Sequence, residues 1–290
     1  MYFKYKELNF HSSRKQKWME GSVSPQILLI YLLLGKISPC DVEQKVYIQN
    51  LNYFSIPPIV QNDSFNSSLC NLLASNDLNI SSRLFYLKIN YSNSNFYLDI
   101  LAEFHYYFHL YSKKNYEASF LFLYRIMERF SYAIPLLYSR INNNYFGSFE
   151  SFKKMFTAIG SDGKEIGFFS NFIKDNPDFL SPYDPSITKI SFNFSPYDDK
   201  DKFIKVFKTH CSQLCEIDEY SGIVEVEMNK LIDFFVTLRN RIFHYRFGDG
   251  KNNIKFSSMK NPQYLFKILS EGIANYLAII CLRICIKDIE

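Results

Sequence analysis

The sequence carries few of the usual handles for chemistry. It has no Gly-rich phosphate loop, no dinucleotide fingerprint and no Ser-His-Asp arrangement. P-loop nucleotidases, Rossmann dehydrogenases and serine hydrolases are therefore without a motif here. No secretory signal opens the chain: Met1-Tyr2-Phe3-Lys4 leads into a polar, basic segment. The longest apolar runs, 27–34 and 277–281 with its continuation, fall far short of the ~20 residues a membrane span needs. A cytoplasmic, reduced protein without a membrane partner is expected, in which the six cysteines need not pair. Net charge is only +4, so a case for a nucleic-acid partner has to come from local clustering. Histidine is scarce, with five in 290 residues, which makes each one informative.

What is present is apolar and aromatic. Hydrophobic residues make up 47% and aromatics 18% of the chain, enough to build a core, which excludes disorder as the default. Lys4, Lys6, Arg14, Lys15 and Lys17 give the first residues a solvated, basic character. Ser24-Pro25, the apolar run after it and Gly35 read as a capped short helix. Residues 46–54 alternate as a strand does and are closed by Pro57-Pro58. Residues 1–95 form an accessory region of mixed α and β type, without a nameable motif.

From Phe96 the texture turns helical. Helices are expected over 96–111, over 116–138 with Asn115 as N-cap, over 202–217, over 225–247, and from beyond Pro262 to about Lys287. Pro135 is expected to kink or end the second of these. Arg125 and Glu128, three apart, can pair. Residues 141–200 are rich in Asn, Gly, Ser, Pro and Asp. They are expected as an irregular insertion, with short helices at 152–159 and 166–173 and one strand in 187–194. The fold class is therefore mainly α: a bundle of four to five helices over 96–290, with an insertion at 141–200.

The densest polar cluster is Arg239-Asn240-Arg241-Ile242-Phe243-His244-Tyr245-Arg246. At ~100° per residue, Leu231, Phe235, Leu238 and Ile242 share a core stripe. On the same wheel Asn240 and His244 lie at ~180° and ~220°, and Arg239 at ~80°. Arg239 and His244 are then ~140° apart, which suits a site completed by a second copy across a two-fold axis. These residue types permit RNA cleavage. A histidine handles the proton of 2′-OH attack, and arginine gives permanent bidentate donors to phosphoryl oxygens. Asn240 can orient either. No metal or cofactor is required, because the nucleophile belongs to the substrate.

Arg239…His244 fits the Arg-x4–6-His pattern of HEPN-superfamily ribonucleases, with a polar residue directly after the arginine. The segment Tyr116-Glu117-Ala118…Tyr124-Arg125-Ile126-Met127-Glu128 also resembles the second helix of the HEPN domains in type III CRISPR-associated ribonucleases. The resemblance implies a metal-independent endoribonuclease for antiviral defence or growth arrest. It would act on RNA as a homodimer with a composite site and leave 2′,3′-cyclic phosphate ends. Arg239, His244 and Asn240 would be catalytic, Arg241, Tyr245 and Arg246 would bind substrate, and Arg125 and Glu128 would support them. Two features differ from relatives. Residues 1–95 have no Gly-rich loop of a nucleotide sensor, although a regulatory nucleotide remains a candidate partner. Tyr245 follows His244 directly, where toxins paired with an antitoxin carry His-x-Tyr. The alternatives are a helical module that dimerises and binds RNA or nucleotide without cutting, or a toxin held by a cognate antitoxin.

Other clusters are weaker. Cys211-x3-Cys215 beside His210, and Cys281-x3-Cys285, lack the usual zinc-knuckle spacing of two intervening residues. Free thiols are expected there. His105 and His109 are a legal metal pair by spacing but lie among aromatics. Glu216, Asp218, Glu219, Glu225 and Glu227 are expected to form a solvated loop and helix start.

Overall fold

The computed structural model describes residues 4–7, 18–19, 24–40, 45, 47–60, 93–141, 149–150, 153, 164–243 and 253–289. The chain is mainly helical and divides into two compact units. Unit 1 holds residues 1–126 and 274–290, and unit 2 holds 127–273. A division near residue 95 was expected; the structure groups the chain otherwise, because the helix after residue 93 packs on the first helix.

In unit 1 the first helix, α1, spans Pro25–Leu33. Pro25 takes its first turn, and Ser24 caps it through its carbonyl, which accepts from the Leu28 N–H at 3.1 Å; its side chain makes no cap bond. Gly35 stops it at φ +72°, and any Cβ there would meet the Asn50 carbonyl carbon at 2.5 Å, so only glycine fits. Strands β1 (Lys4–Glu7), β2 (Trp18–Met19) and β3 (Ile37–Cys40) form an antiparallel sheet in the order β2-β1-β3. The alternation of 46–54 yields only a two-residue strand, β4 (Leu51–Asn52), paired with β5 (Ile59–Val60). A buried side chain competes with the ladder there: Gln49 Nε2 donates to the Leu32 and Leu51 carbonyls at 3.0 and 2.8 Å. Helix α2 spans Ser94–Ser112, and α3 spans Tyr116–Ile141, its residues from Met127 on belonging to unit 2. Asn115 caps α3, its Oδ1 accepting from the Ala118 N–H at 3.3 Å. Pro135 does not end α3, which runs on to Ile141 with Ile134 and Leu137 buried around the proline.

Unit 2 contains α4 (Lys164–Asp175), which realises the expected helix at 166–173; the one expected at 152–159 lies outside the described residues. Strand β6 (Lys189–Asn193) realises the alternation of 187–194. Helix α5 covers Lys200–His210 and stops well short of residue 217. The chain instead enters β7 (Glu216–Asp218) and β8 (Ile223–Glu227), giving a sheet of order β6-β8-β7. Glu216, Asp218, Glu225 and Glu227 are therefore on strands, a correction of the loop-and-helix expectation, while Glu219 lies in the turn between them. Val224 and Val226 alternate inward, and the acids face out. On that outer face Lys189 Nζ reaches Glu216 at 2.6 Å, and Ser191 Oγ donates to Glu225 at 2.9 Å. Helix α6 consequently begins at Leu231, six residues later than expected, and is described to Phe243.

The last helix, α7, spans Gln263–Ile289. Its stretch Gln263–Asp288, whose most apolar 18-residue window has mean hydropathy 1.6, is long and apolar enough to cross a membrane by length and composition alone. Of its most apolar window 78% is buried inside the protein, as in a core helix. In unit 1, Asn275 of α7 donates to the Tyr53 and Ser55 carbonyls, and buried Asp288 accepts from Tyr97 Oη at 2.6 Å and Asn93 Nδ2 at 2.9 Å.

The core of unit 2 is aromatic. Phe192 stacks on Phe234 and Phe234 on Phe207, each at 5.8 Å. Gly272 of α7 lies against the sheet side of this stack: a Cβ there would meet Phe192 Cε1 at 2.6 Å and Ile190 Cγ2 at 2.8 Å. Alanine is favoured over glycine in a helix by ~1 kcal/mol, whereas overpacking costs ~1–3 kcal/mol, so packing wins. Gly272→Ala is expected to lower stability by ~1 kcal/mol, read by urea denaturation; a gain in stability would contradict this packing.

Candidate functional site

Helix α6 presents the polar cluster because its apolar residues are spent on the core. Leu231, Ile232, Phe234, Phe235 and Leu238 are buried. Leu231, Phe235 and Leu238 were expected on this stripe; Ile232 and Phe234 widen it, and Ile242 is only half-buried. Lys174 of α4 donates to Asp233 at 2.7 Å and ties the two helices on the solvent side. The last turns of α6 then carry the polar side chains.

Asn240 is exposed, as its place opposite the core stripe requires, and Arg239 is half-buried beside it. Arg239 Nη1 donates to Asn240 Oδ1 at 3.1 Å. That bond orients the amide and leaves its NH₂ as donor. The arginine and the asparagine are thus brought together within one chain. His244, Tyr245 and Arg246 lie outside the described residues. The helix is described to Phe243 only, and the ~140° phase between Arg239 and His244 assumed a helix continuing to 247.

The two ends of that segment are held close together. The Arg241 carbonyl accepts from the Ile254 N–H at 3.0 Å. Phe243 meets Phe266 at 6.0 Å, and Phe266 meets Phe256 at 5.6 Å. The returning chain is fixed by Asp199, a residue not singled out by any sequence motif. It is buried at the start of α5 and accepts from the Asn261 N–H at 2.8 Å and Lys202 Nζ at 3.0 Å. Burial pushes this carboxyl up, but the Asn261, Lys202 and Lys260 hydrogen bonds and the Lys202 charge overcome it and hold it down at about 2.

The charge of Arg241 acts on a group that the sequence did not connect with it. Burial, and after it the Arg241 charge, hold the His210 imidazole below its usual value. The neighbouring thiols are pushed up by burial, Cys211 to about 12 and Cys215 to about 11. Both are neutral at physiological pH, so neither is a ready nucleophile or thiolate ligand. Cys215 Sγ donates to the Cys211 carbonyl at 3.2 Å. Among the described residues no group of three or more His, Cys, Asp or Glu is placed to hold a metal ion.

Arg125 and Glu103 of α2 form an ion pair at 2.9 Å, and the guanidinium lies over the Phe122 ring at 5.2 Å. The spacing to Glu128 did not point to that partner. Arg125 belongs to unit 1, whereas Glu128 and the α6 cluster belong to unit 2. The His105 and His109 rings stack at 6.5 Å, and Tyr47 packs edge-on to His109 at 4.6 Å.

No known protein family, curated protein or solved structure matches the chain.

Asp199 titrates lower in the folded chain than its ordinary 3.8. Its contribution to stability is therefore present above that value and lost as pH falls toward about 2. Asp199→Asn is expected to lower the denaturation midpoint at pH 7, and the two proteins should converge under strong acid. A gap that is unchanged across that range would show that the carboxylate does not fix the returning chain.

Proposed function

We propose that the protein is a metal-independent endoribonuclease of the HEPN class, acting as a homodimer on single-stranded RNA. The observation that carries this reading is the Arg239–Asn240 pair, bonded at 3.1 Å with Asn240 exposed, in the last turns of α6 directly before His244. The mainly helical fold agrees with that class.

The chemistry follows from the substrate. His244 takes the proton of a ribose 2′-OH, and that oxygen attacks the adjacent phosphorus. The new P–O2′ bond closes a 2′,3′-cyclic phosphate as the P–O5′ bond breaks. A proton delivered to O5′ releases a 5′-hydroxyl end. Charge gathers on the non-bridging oxygens during the step, and Arg239 stabilises it there. Asn240 holds the guanidinium and the phosphate in register. Arg241, Tyr245 and Arg246 contact the flanking backbone and bases. A second copy would bring two such motifs face to face, and such RNA cutting would serve antiviral defence or growth arrest.

Arg239→Ala and His244→Ala are each expected to slow cleavage of a labelled single-stranded RNA by ~10²-fold or more. Asn240→Ala should cost less, ~10-fold, as an orienting residue does. The wild type should keep its rate in EDTA. Cleavage by His244→Ala at the wild-type rate, or loss of activity in EDTA, would sink the proposal.

A further inference from the structure

The sheet of unit 2 runs β6-β8-β7, so β6 borders β8 on one side, and among the described residues no strand borders it on the other. The register decides which backbone groups lie on that outer edge. The Thr188 carbonyl accepts from the Met228 N–H at 3.0 Å, and the Phe194 N–H donates to the Gly222 carbonyl at 2.9 Å. Bonds to β8 therefore fall on the even-numbered residues, because bonded positions alternate along an antiparallel ladder. Lys189, Ser191 and Asn193 direct their N–H and C=O groups away from β8. Their side chains stand on the outer face, where Ser191 and Asn193 are exposed. Ile190 and Phe192 are spent on the core.

Proteins commonly blunt such an edge with proline, a bulge or a lysine laid across it. β6 pairs residue for residue with β8 over its whole length and holds no proline. Its one lysine is drawn back over the sheet, where Lys189 Nζ reaches Glu216 of β7 at 2.6 Å and Glu225 of β8 at 3.7 Å. The face beside the edge sets the charge of what can lie there. Its strand residues include Glu216, Asp218, Glu225 and Glu227 against the single Lys189, and Lys230 takes Glu227 at 3.0 Å. Lys189 also shows how far a basic side chain reaches, since Glu216 is two strands away from it. A basic residue on a strand beyond β6, opposite Ser191, has the same two-strand span to Glu225. Between them stands only the small Ser191 side chain, which donates to Glu225 at 2.9 Å. The same carboxylates repel a nucleic-acid backbone.

We infer that the outer edge of β6 docks an extended, basic segment of a partner protein, which joins the sheet as a fourth, antiparallel strand. Main-chain bonds to Lys189, Ser191 and Asn193 hold the segment, and its lysine or arginine opposite Ser191 meets Glu225. The segment alternates, with basic residues on the outer face and apolar residues on the side of Ile190 and Phe192. This docking edge is independent of the ribonuclease reading.

The test follows backbone amide exchange of the full chain by NMR, with a capped peptide of alternating valine and lysine as the probe. In the free protein the Ser191 and Asn193 amides are expected to exchange fast, and those of Phe192 and Phe194 slowly. The peptide should protect Ser191 and Asn193. Ser191→Pro removes an outward donor and no bond to β8, so it should keep Phe192 and Phe194 slow and weaken peptide binding ~10-fold. Methylating the lysine backbone amides of the peptide should abolish protection with the protein unchanged. Glu225→Gln should weaken binding about threefold, as a surface pair does, and a peptide with glutamate in place of lysine should not bind. Slow exchange at Ser191 and Asn193 in dilute free protein would show the edge already covered and overturn the site. Protection that grows with protein concentration alone would assign the edge to a second copy and overturn the basic partner. Equal protection by the glutamate peptide, or by the methylated one, overturns the proposal as well.

Discussion

The flat stack of Phe192, Phe234 and Phe207 is the contact on which the rest of unit 2 depends. It joins a strand, the motif helix and the preceding helix through three rings that are essentially free of solvent. Each buried aromatic contributes a few kcal/mol by area, and offset pairs add ~0.5–1.5 kcal/mol more. The stack has no room to slide. Gly272 closes one end against Phe192, and Phe194 braces the other by packing on both Phe203 and Phe207. With the rings fixed, the rotation of α6 about its axis is fixed too. That rotation decides that Leu238 is buried and Asn240 exposed, and it carries Arg239 and Arg241 with them.

Polar atoms hold what the aromatics leave open. Asp199 stands at the start of α5 and shares its carboxylate between Lys202 of that helix and the Asn261 N–H of the chain that leads into α7. The Arg241 carbonyl takes the Ile254 N–H from the same returning segment. The Asp199–Asn261 bond spans 62 residues of sequence. These bonds bring the flanks of residues 244–252 together without using the side chains proposed for chemistry.

Local rules made part of this legible in the sequence. Pro25 and Gly35 bracket α1, Asn115 starts α3, and the alternation around Ile190 and Phe192 marks β6. Each signal lies within a few residues of the element it specifies. The errors arose where two periodicities overlap. Ile223-Val224-Glu225-Val226-Glu227 has the alternation of a strand, but it runs straight into the 3.6-residue pattern of α6 and was absorbed into it. Pro135 was expected to kink or end its helix, and α3 runs on past it to Ile141 with the apolar residues on either side buried. At the candidate site Arg239 and Asn240 were legible as a motif. His210 was visible only as a neighbour of Cys211, since the influence of the Arg241 charge on it depends on tertiary packing. Asp199 and Gly272 carry no sequence signal, because their partners are distant in the chain.

The central claim is that RNA supplies its own nucleophile at the end of α6. Chemical analysis of the product ends, after incubation of wild-type protein with RNA in excess chelator, addresses it most directly. The account predicts 5′-hydroxyl and 2′,3′-cyclic phosphate ends. Ends bearing a 5′-phosphate and a 3′-hydroxyl would show that water rather than the ribose attacked, and would contradict it.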